Sequence, residues 1–212
     1  MRRALLLALL SIGLVAAPTL AKEPKAPAPP DQVNAYKASG QWDKDIDAIV
    51  AKAQATVDKA VRNKTKKPAL IFDIDDTLLS SYACTKADNF SAGSRAACVV
   101  AGKMPAIPQT KKLYKSALKK KIAIFLVTGR PEGTRAGTIA NLNRAGLAGF
   151  KGLAMRPNAD LGKPQVAYKS GERKKVQDKG YTLIGNVGDQ TTDLQGGFGK
   201  GFKIPNPMYF TP

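Results

Sequence analysis

Ala69-Leu-Ile-Phe-Asp73-Ile-Asp75-Asp76-Thr77-Leu-Leu79 decides how the rest of this chain is read. Ala69 to Phe72 form an apolar run of the kind that makes a buried strand, and it passes straight into Asp73, Asp75 and Asp76. Carboxylates crowded beside a buried strand cost on the order of several kcal/mol unless positive charge compensates them. A divalent cation is the obvious compensator. Side chains alternate along an extended segment, so Asp73 and Asp75 point the same way while Ile74 turns back into the core. Two carboxyl groups on one side suffice for a nucleophile with an acid/base partner, or for a shared metal.

Working outward, the pattern predicts strands alternating with helices. Upstream, a short helix is expected over Asp31–Ala38, and a longer one from Gln41 to about Asn63, where Ile46, Ile49, Val50, Ala53, Val57 and Val61 make one stripe. Downstream, Pro108 opens a lysine-rich helix to about Lys121, and Ile122–Val127 is a second apolar strand ending at Thr128-Gly129-Arg130. A helix over Pro131–Ala145 is expected to stop at a left-handed Gly146. Further strands are predicted at Phe150–Met155 and Tyr181–Val187, with a helix from Pro164 to Gly180 between them and a short edge strand around Phe202–Ile204. Such alternation implies an α/β fold, a parallel Rossmann-like sheet with helices on both faces. Between the first two strands, Ser80–Ala106 has no clear periodicity and is too long for an ordinary connection. It is read as a small cap insertion over the strand ends.

Composition narrows the chemistry. The chain of 212 residues is long enough for one cored domain, here assigned to residues 31–212. Arg2-Arg3 before the apolar run Ala4–Ala17, then Pro18-Thr19-Leu20-Ala21, reads as a secretory signal cleaved after Ala21. The run is shorter than the roughly 20 residues that span a bilayer, and no later stretch could do so. Residues 22–30, rich in Lys, Pro and Ala, read as a disordered lead-in. Export, to a periplasm or beyond, makes a Cys84–Cys98 disulfide the expectation, with two buried thiols as the alternative. The formal charge is +18, or +16 once Arg2 and Arg3 leave with the signal, and it draws anions. The lysines are dispersed along helices as a solvated face, which argues against a specific nucleic-acid partner.

The chain has no histidine, which excludes a Ser-His-Asp triad, histidine phosphatase chemistry and His-ligated zinc. No arginine lies six residues after either cysteine, and no Walker A pattern occurs. Catalysis is left to carboxylates, lysines, hydroxyls and metal. In a parallel sheet, ligands bind beyond the carboxyl ends of the strands. That rule gathers Asp73 and Asp75, Thr128, and Asp189 with Asp193, each expected just past a strand end.

These segments resemble the haloacid dehalogenase (HAD) superfamily, and within it the secreted acid phosphatases of the bacterial class B and plant vegetative-storage type, subfamily IIIB. The likeness rests on Phe-Asp-Ile-Asp-Asp-Thr-Leu-Leu, Val-Thr-Gly-Arg-Pro-Glu, Tyr-Lys-Ser-x-x-Arg and Gly-Asp-Gln-x-x-Asp-Leu, in the family's order. The resemblance implies that Asp73 is the nucleophile and forms an aspartyl-phosphate, and that Asp75 is the acid/base. It implies one Mg²⁺ held by the carboxylates of Asp73 and Asp189 and the carbonyl of Asp75, with Asp193 in support. Thr128 and the Gly129 amide would bind phosphoryl oxygens, and Lys169 would neutralise the transferring group. Arg130 is left open between substrate contact and a surface pair with Glu132. Arg173 is read as structural and Asp76 as a buttress of the loop. Expected substrates are small phosphomonoesters such as nucleotides or sugar phosphates; phosphotransfer to an alcohol and a silent storage or anion-binding scaffold are the alternatives. The oligomeric state stays open.

Overall fold

The structure, a computed structural model, describes residues 26–211; the signal expected over 1–21 lies outside them. In chain order the elements are α1 (Pro30–Ala38), α2 (Gln41–Arg62), β1 (Pro68–Phe72), α3 (Tyr82–Thr85), α4 (Ala92–Ala101), α5 (Pro108–Lys119), β2 (Ala123–Pro131), α6 (Arg135–Arg144), β3 (Gly152–Arg156), α7 (Gln165–Asp178), β4 (Thr182–Gly188) and β5 (Gly201–Lys203). The five strands form one sheet in the order β3-β2-β1-β4-β5. Every pairing is parallel. This is the α/β architecture expected from the sequence.

The continuous apolar runs follow from burial on both faces, which removes any need for polar alternation. Leu70 and Phe72 of β1 join Ile124, Leu126 and Val187 in a cluster with Ile46 and Val57 of α2 and Leu113 and Tyr114 of α5. The intervening Ala69 and Ile71 pack with Phe125, Val127 and Val176 of α7 on the other face. The period of two thus divides one strand between two cores. In α2, Trp42, Ile46, Ala53, Val57 and Ala60 are buried, whereas Val61, expected on the stripe, is largely exposed.

Several boundaries differ from expectation, each for a local reason. The insertion over 80–106 is largely helical: α3, a 3-10 turn at Lys86–Asp88, and α4, whose N-cap Ser91 accepts from the Ser94 amide. Small residues without large apolar partners hid that helix. Cys84 and Cys98 form a disulfide that ties α3 to α4. Strand β2 runs on to Pro131, so Thr128-Gly129-Arg130 belongs to the strand rather than following it. A 3-10 turn at Glu132–Thr134 precedes α6, and Gly146 takes the left-handed conformation expected, with φ of 72°. The lead-in read as disordered over 22–30 is ordered at its end. Ala28 donates its amide to Pro207 O at 2.9 Å, and α1 begins at Pro30.

Candidate active site

The carboxyl ends of β1, β2 and β4 open into one cavity of about 350 Å³, lined by Asp73, Asp75, Gly129, Arg130, Lys169 and Asp189, among others. Asp73 leaves β1 with its amide bonded to Val187 O of β4 at 2.9 Å, which locks the first acid to the strand that carries Asp189. Beyond β4, a 3-10 turn at Thr191–Asp193 folds Asp193 back against Gly188. A Cβ on Gly188 would lie 2.2 Å from the Asp193 Cβ, so only glycine allows that approach. Asp73, Asp189 and Asp193 are all buried, and each offers a carboxylate oxygen within 4.8 Å of the others.

Lys169 projects from the first turns of α7 into this group. Its Nζ lies 3.2 Å from Asp73 Oδ1 and also pairs with Asp193 Oδ1. Lys169 is only 3% exposed, so its charge acts undiluted by water. Burial alone would lower its proton affinity, but Asp73 and Asp193 outweigh that and hold it above the usual lysine range. Asp189 Oδ2 accepts from Gln190 Nε2 at 2.5 Å and Asn206 Nδ2 at 2.6 Å, while Thr77 Oγ1 reaches Oδ1 at 3.3 Å. Asp193 Oδ2 accepts from the Gln190 amide at 2.8 Å.

Asp75 and Asp76 part company. Asp75 is held by both arms of Arg130, Nε to Oδ2 at 2.9 Å and Nη2 to Oδ1 at 2.7 Å. Asp76, at φ of 51°, accepts from the Ser81 amide, Ser81 Oγ and Tyr209 Oη, and so buttresses the loop that follows β1. Arg130 therefore does not form the surface pair with Glu132 considered for it from sequence; it lines the cavity while bonded to Asp75. Glu132 pairs instead with Arg135, and Arg130 is buried against Asp75, because β2 extends past Val127 and carries its side chain inward. Thr128 is fully buried and accepts from the Arg130 amide at 3.2 Å; the cavity wall beside it is Gly129. Arg173 donates to the carbonyls of Asp193 at 2.7 Å, Gly197 at 3.2 Å and Gln195, and so holds the turn that carries Asp193.

Five carboxylates, Asp73, Asp75, Asp76, Asp189 and Asp193, meet two cations in ion pairs, Lys169 and Arg130. The excess is visible in proton affinities. Burial, with the neighbouring acids Asp193, Asp189 and Asp75 adding to it against Lys169, raises Asp73 well above the usual carboxylate range. Burial and Asp193 push Asp189 up to about 7, and burial pushes Asp76 up to about 6. An oxygen-only donor set with surplus negative charge fits a hard divalent cation.

The sequence reading did not single out Asn206, Tyr209, Gln190 or Arg95 at the site. Tyr209 and Asn206 come from the tail, which is pinned by Trp42 Nε1 donating to Pro205 O at 3.0 Å. An asparagine between two prolines in an otherwise apolar tail was the available signal. Arg95 sits on the insertion with Ala96, Val99 and Val100, which line the same cavity, and its guanidinium lies 4.1 Å from the centre of the Tyr209 ring.

The family described as HAD superfamily, subfamily IIIB (Acid phosphatase), matches residues 19–212. The chain is 33% identical over 190 residues to acid phosphatase 1 of Solanum lycopersicum, covering 85% of this chain and 73% of that protein. It is 36% identical over 160 residues to vegetative storage protein 1 of Arabidopsis thaliana, covering 72% of this chain and 58% of that one. Among solved structures, the class C acid phosphatase from Bacillus anthracis superposes with a TM-score of 0.66 at 19% identity, over 85% of this chain and 86% of that one. The last likeness is one of fold.

Proposed function

Because the chain belongs to HAD subfamily IIIB, the acid phosphatases, we propose that this phosphomonoester hydrolase is Mg²⁺-dependent and works through an aspartyl-phosphate on Asp73. The observation that carries the reading is the meeting of Asp73, Lys169, Asp189 and Asp193 at the floor of the cavity that Asp75 also lines. The cation would be held by the carboxylates of Asp73 and Asp189 and the Asp75 carbonyl, with Asp193 beside them, and would supply charge neutralisation for the phosphoryl oxygens.

In the first half-reaction an Asp73 carboxylate oxygen attacks phosphorus as the ester bond to the leaving oxygen breaks. Asp75 gives its proton to that oxygen, and the alcohol departs. In the second, Asp75, now a carboxylate, takes a proton from water, whose oxygen attacks phosphorus and releases phosphate from Asp73. Lys169 favours the ionised form of Asp73 against burial and the neighbouring acids and offsets charge on the transferring group, a role that needs the water-poor setting its burial supplies. The Gly129 amide and the Thr128 hydroxyl are assigned to the phosphoryl oxygens.

Small phosphomonoesters, nucleotides and sugar phosphates among them, suit a cavity of this size. Export is part of the proposal, and no described helix is long and apolar enough to cross a membrane. The relatives named as storage proteins keep a silent scaffold in view, but the nucleophile, acid/base, lysine and second acid are all present here. Initial rates on a chromogenic phosphomonoester decide the matter. Hydrolysis abolished by a chelator, restored by Mg²⁺ and absent in Asp73→Asn is expected; activity that survives chelation or Asp73→Asn overturns the mechanism. Excess alcohol acceptor in the same assay reveals phosphotransfer as a phosphorylated product.

A further inference from the structure

We propose that Arg130 is a positioning residue that acts on leaving-group departure through Asp75, an inference that rests on the acid/base role given to Asp75 above. Three observations carry it. First, the contact is a fork in which Arg130 Nε and Nη2 each engage a different Asp75 oxygen, at 2.9 and 2.7 Å, so the plane of the carboxyl group is set as well as its distance. A planar guanidinium orients a carboxylate in a way that a point charge cannot.

Second, the two partners differ in access. The Arg130 side chain is 1% exposed and that of Asp75 is 27% exposed, so Asp75 is the more open of the two to the cavity that both line. Arg130 lines the cavity as well, but Nε and Nη2 of its guanidinium are engaged by Asp75. Third, the guanidinium is itself held from two other elements. Nη1 donates to Thr138 Oγ1 of α6 at 3.1 Å, and Nη2 lies 3.4 Å from Met104 Sδ, in the return from the insertion to α5. The backbone amide of Arg130 is bonded to Thr128 Oγ1 at 3.2 Å. One residue thus ties the acid that follows β1 to β2, to α6 and to the end of the insertion.

The orientation matters for one step. Asp75 must place its O–H against the leaving oxygen as the phosphorus–oxygen bond breaks, and a small displacement of a general acid lowers its contribution steeply. A nitrophenolate departs without that proton; an alkoxide does not. Loss of Arg130 is therefore felt unequally by the two kinds of ester, whereas a purely structural role weakens both alike.

The test measures kcat/KM for 4-nitrophenyl phosphate and for an alkyl phosphate such as glycerol phosphate, with inorganic phosphate inhibition as a gauge of the phosphate site. For Arg130→Gln the expected loss on the alkyl ester exceeds that on the nitrophenyl ester by roughly tenfold or more, with phosphate inhibition nearly unchanged. Arg130→Lys, which keeps the charge and loses the fork, falls between Arg130→Gln and the wild type. In an Asp75→Asn background, Arg130→Gln adds little further loss on the alkyl ester, since the group it acts through is gone. Thr138→Val removes only the Nη1 contact and gives a smaller shift in the same direction, so the inference stays testable if Arg130→Gln fails to fold. Equal losses on both esters in Thr138→Val and Arg130→Gln, weakened phosphate inhibition, or full additivity with Asp75→Asn overturns the role given to Arg130. A wild-type protein that hydrolyses neither ester overturns the phosphatase reading on which that role depends.

Discussion

The floor and the cap of the cavity are built in opposite ways. On the floor the ion pairs join residues far apart in sequence: Lys169 to Asp73 across 96 positions, and Arg130 to Asp75 across 55. Lys169, Asp73 and Arg130 are buried, Asp75 is partly so, and each stands in an ion pair that offsets its desolvation. The cap is local. Its helices α3 and α4 are joined by a disulfide spanning 14 positions, and they present Ala96, Val99 and the largely exposed Val100 to the cavity. The difference teaches where change is tolerated. A floor residue cannot be removed without stranding a buried partner, whereas exposed cap residues that face the cavity, such as Val100, can vary with little effect on the fold.

Lys169→Met strikes the floor hardest. It leaves Asp73 and Asp193 without their shared cation, and is expected to lower kcat by roughly 10²–10³-fold. Denaturant unfolding of the metal-free variant should register a loss of about 3–5 kcal/mol, the usual result of breaking a buried pair from one side. A loss of activity under tenfold would break the comparison. Asn206→Ala is milder. It frees Asp189 Oδ2 from one of its two amide donors, and should weaken divalent-cation binding by roughly 10–100-fold, read by titration calorimetry without any substrate.

Removing the cap's crosslink sharpens the contrast. In the chain-entropy model, a Cys84→Ser, Cys98→Ser protein should lose about 3 kcal/mol of stability. Its kcat should stay within a few-fold of wild type while KM rises, because the crosslink constrains the cap and not the floor. A collapse of kcat would mean that the cap organises the chemistry. The smallest effect expected is on melting temperature. Asp76 and Asp189 take up protons up to about 6 and about 7 in the folded chain, against 3.8 for an ordinary aspartate. Between those limits the native state binds more protons than the unfolded one, so stability falls as pH rises through that window and levels off above it. Chelated protein should therefore melt a few degrees higher near pH 5 than near pH 7.5, and Mg²⁺ should narrow the gap by favouring the ionised acids. A higher melting temperature at the upper pH in chelator would contradict the raised proton affinities.

Much of the floor was legible because its signals are short. A buried strand announces itself in consecutive apolar residues, and Asp73 and Asp189 follow Phe72 and Gly188 directly. What escaped were partners. Near neighbours suggested Glu132 for Arg130, yet Glu132 turns to Arg135 three residues on, and Arg130 finds Asp75 in the loop that follows the neighbouring strand β1. The helix α4 escaped because alanine, glycine and serine carry little hydrophobic contrast, so the cap was read as an irregular insertion. The tail escaped for a third reason. Asn206 and Tyr209 gain their meaning from Asp189 and Asp76, 17 and 133 positions away.

The opening stretch carried more than its local structure. Hydrophobic continuity set β1 inside a parallel sheet, and the alternation of side chains set Asp73 and Asp75 on one side, because both follow from backbone geometry that any extended chain obeys. The pairing of Lys169 with Asp73 came with the resemblance, and the tertiary structure completed the division of the acids among their partners: Lys169 shared by Asp73 and Asp193, Arg130 for Asp75, and the neutral donors Ser81 and Tyr209 for Asp76. That division depends on distances across strands and on how completely each carboxyl group is withdrawn from water, quantities that arise once the chain has packed.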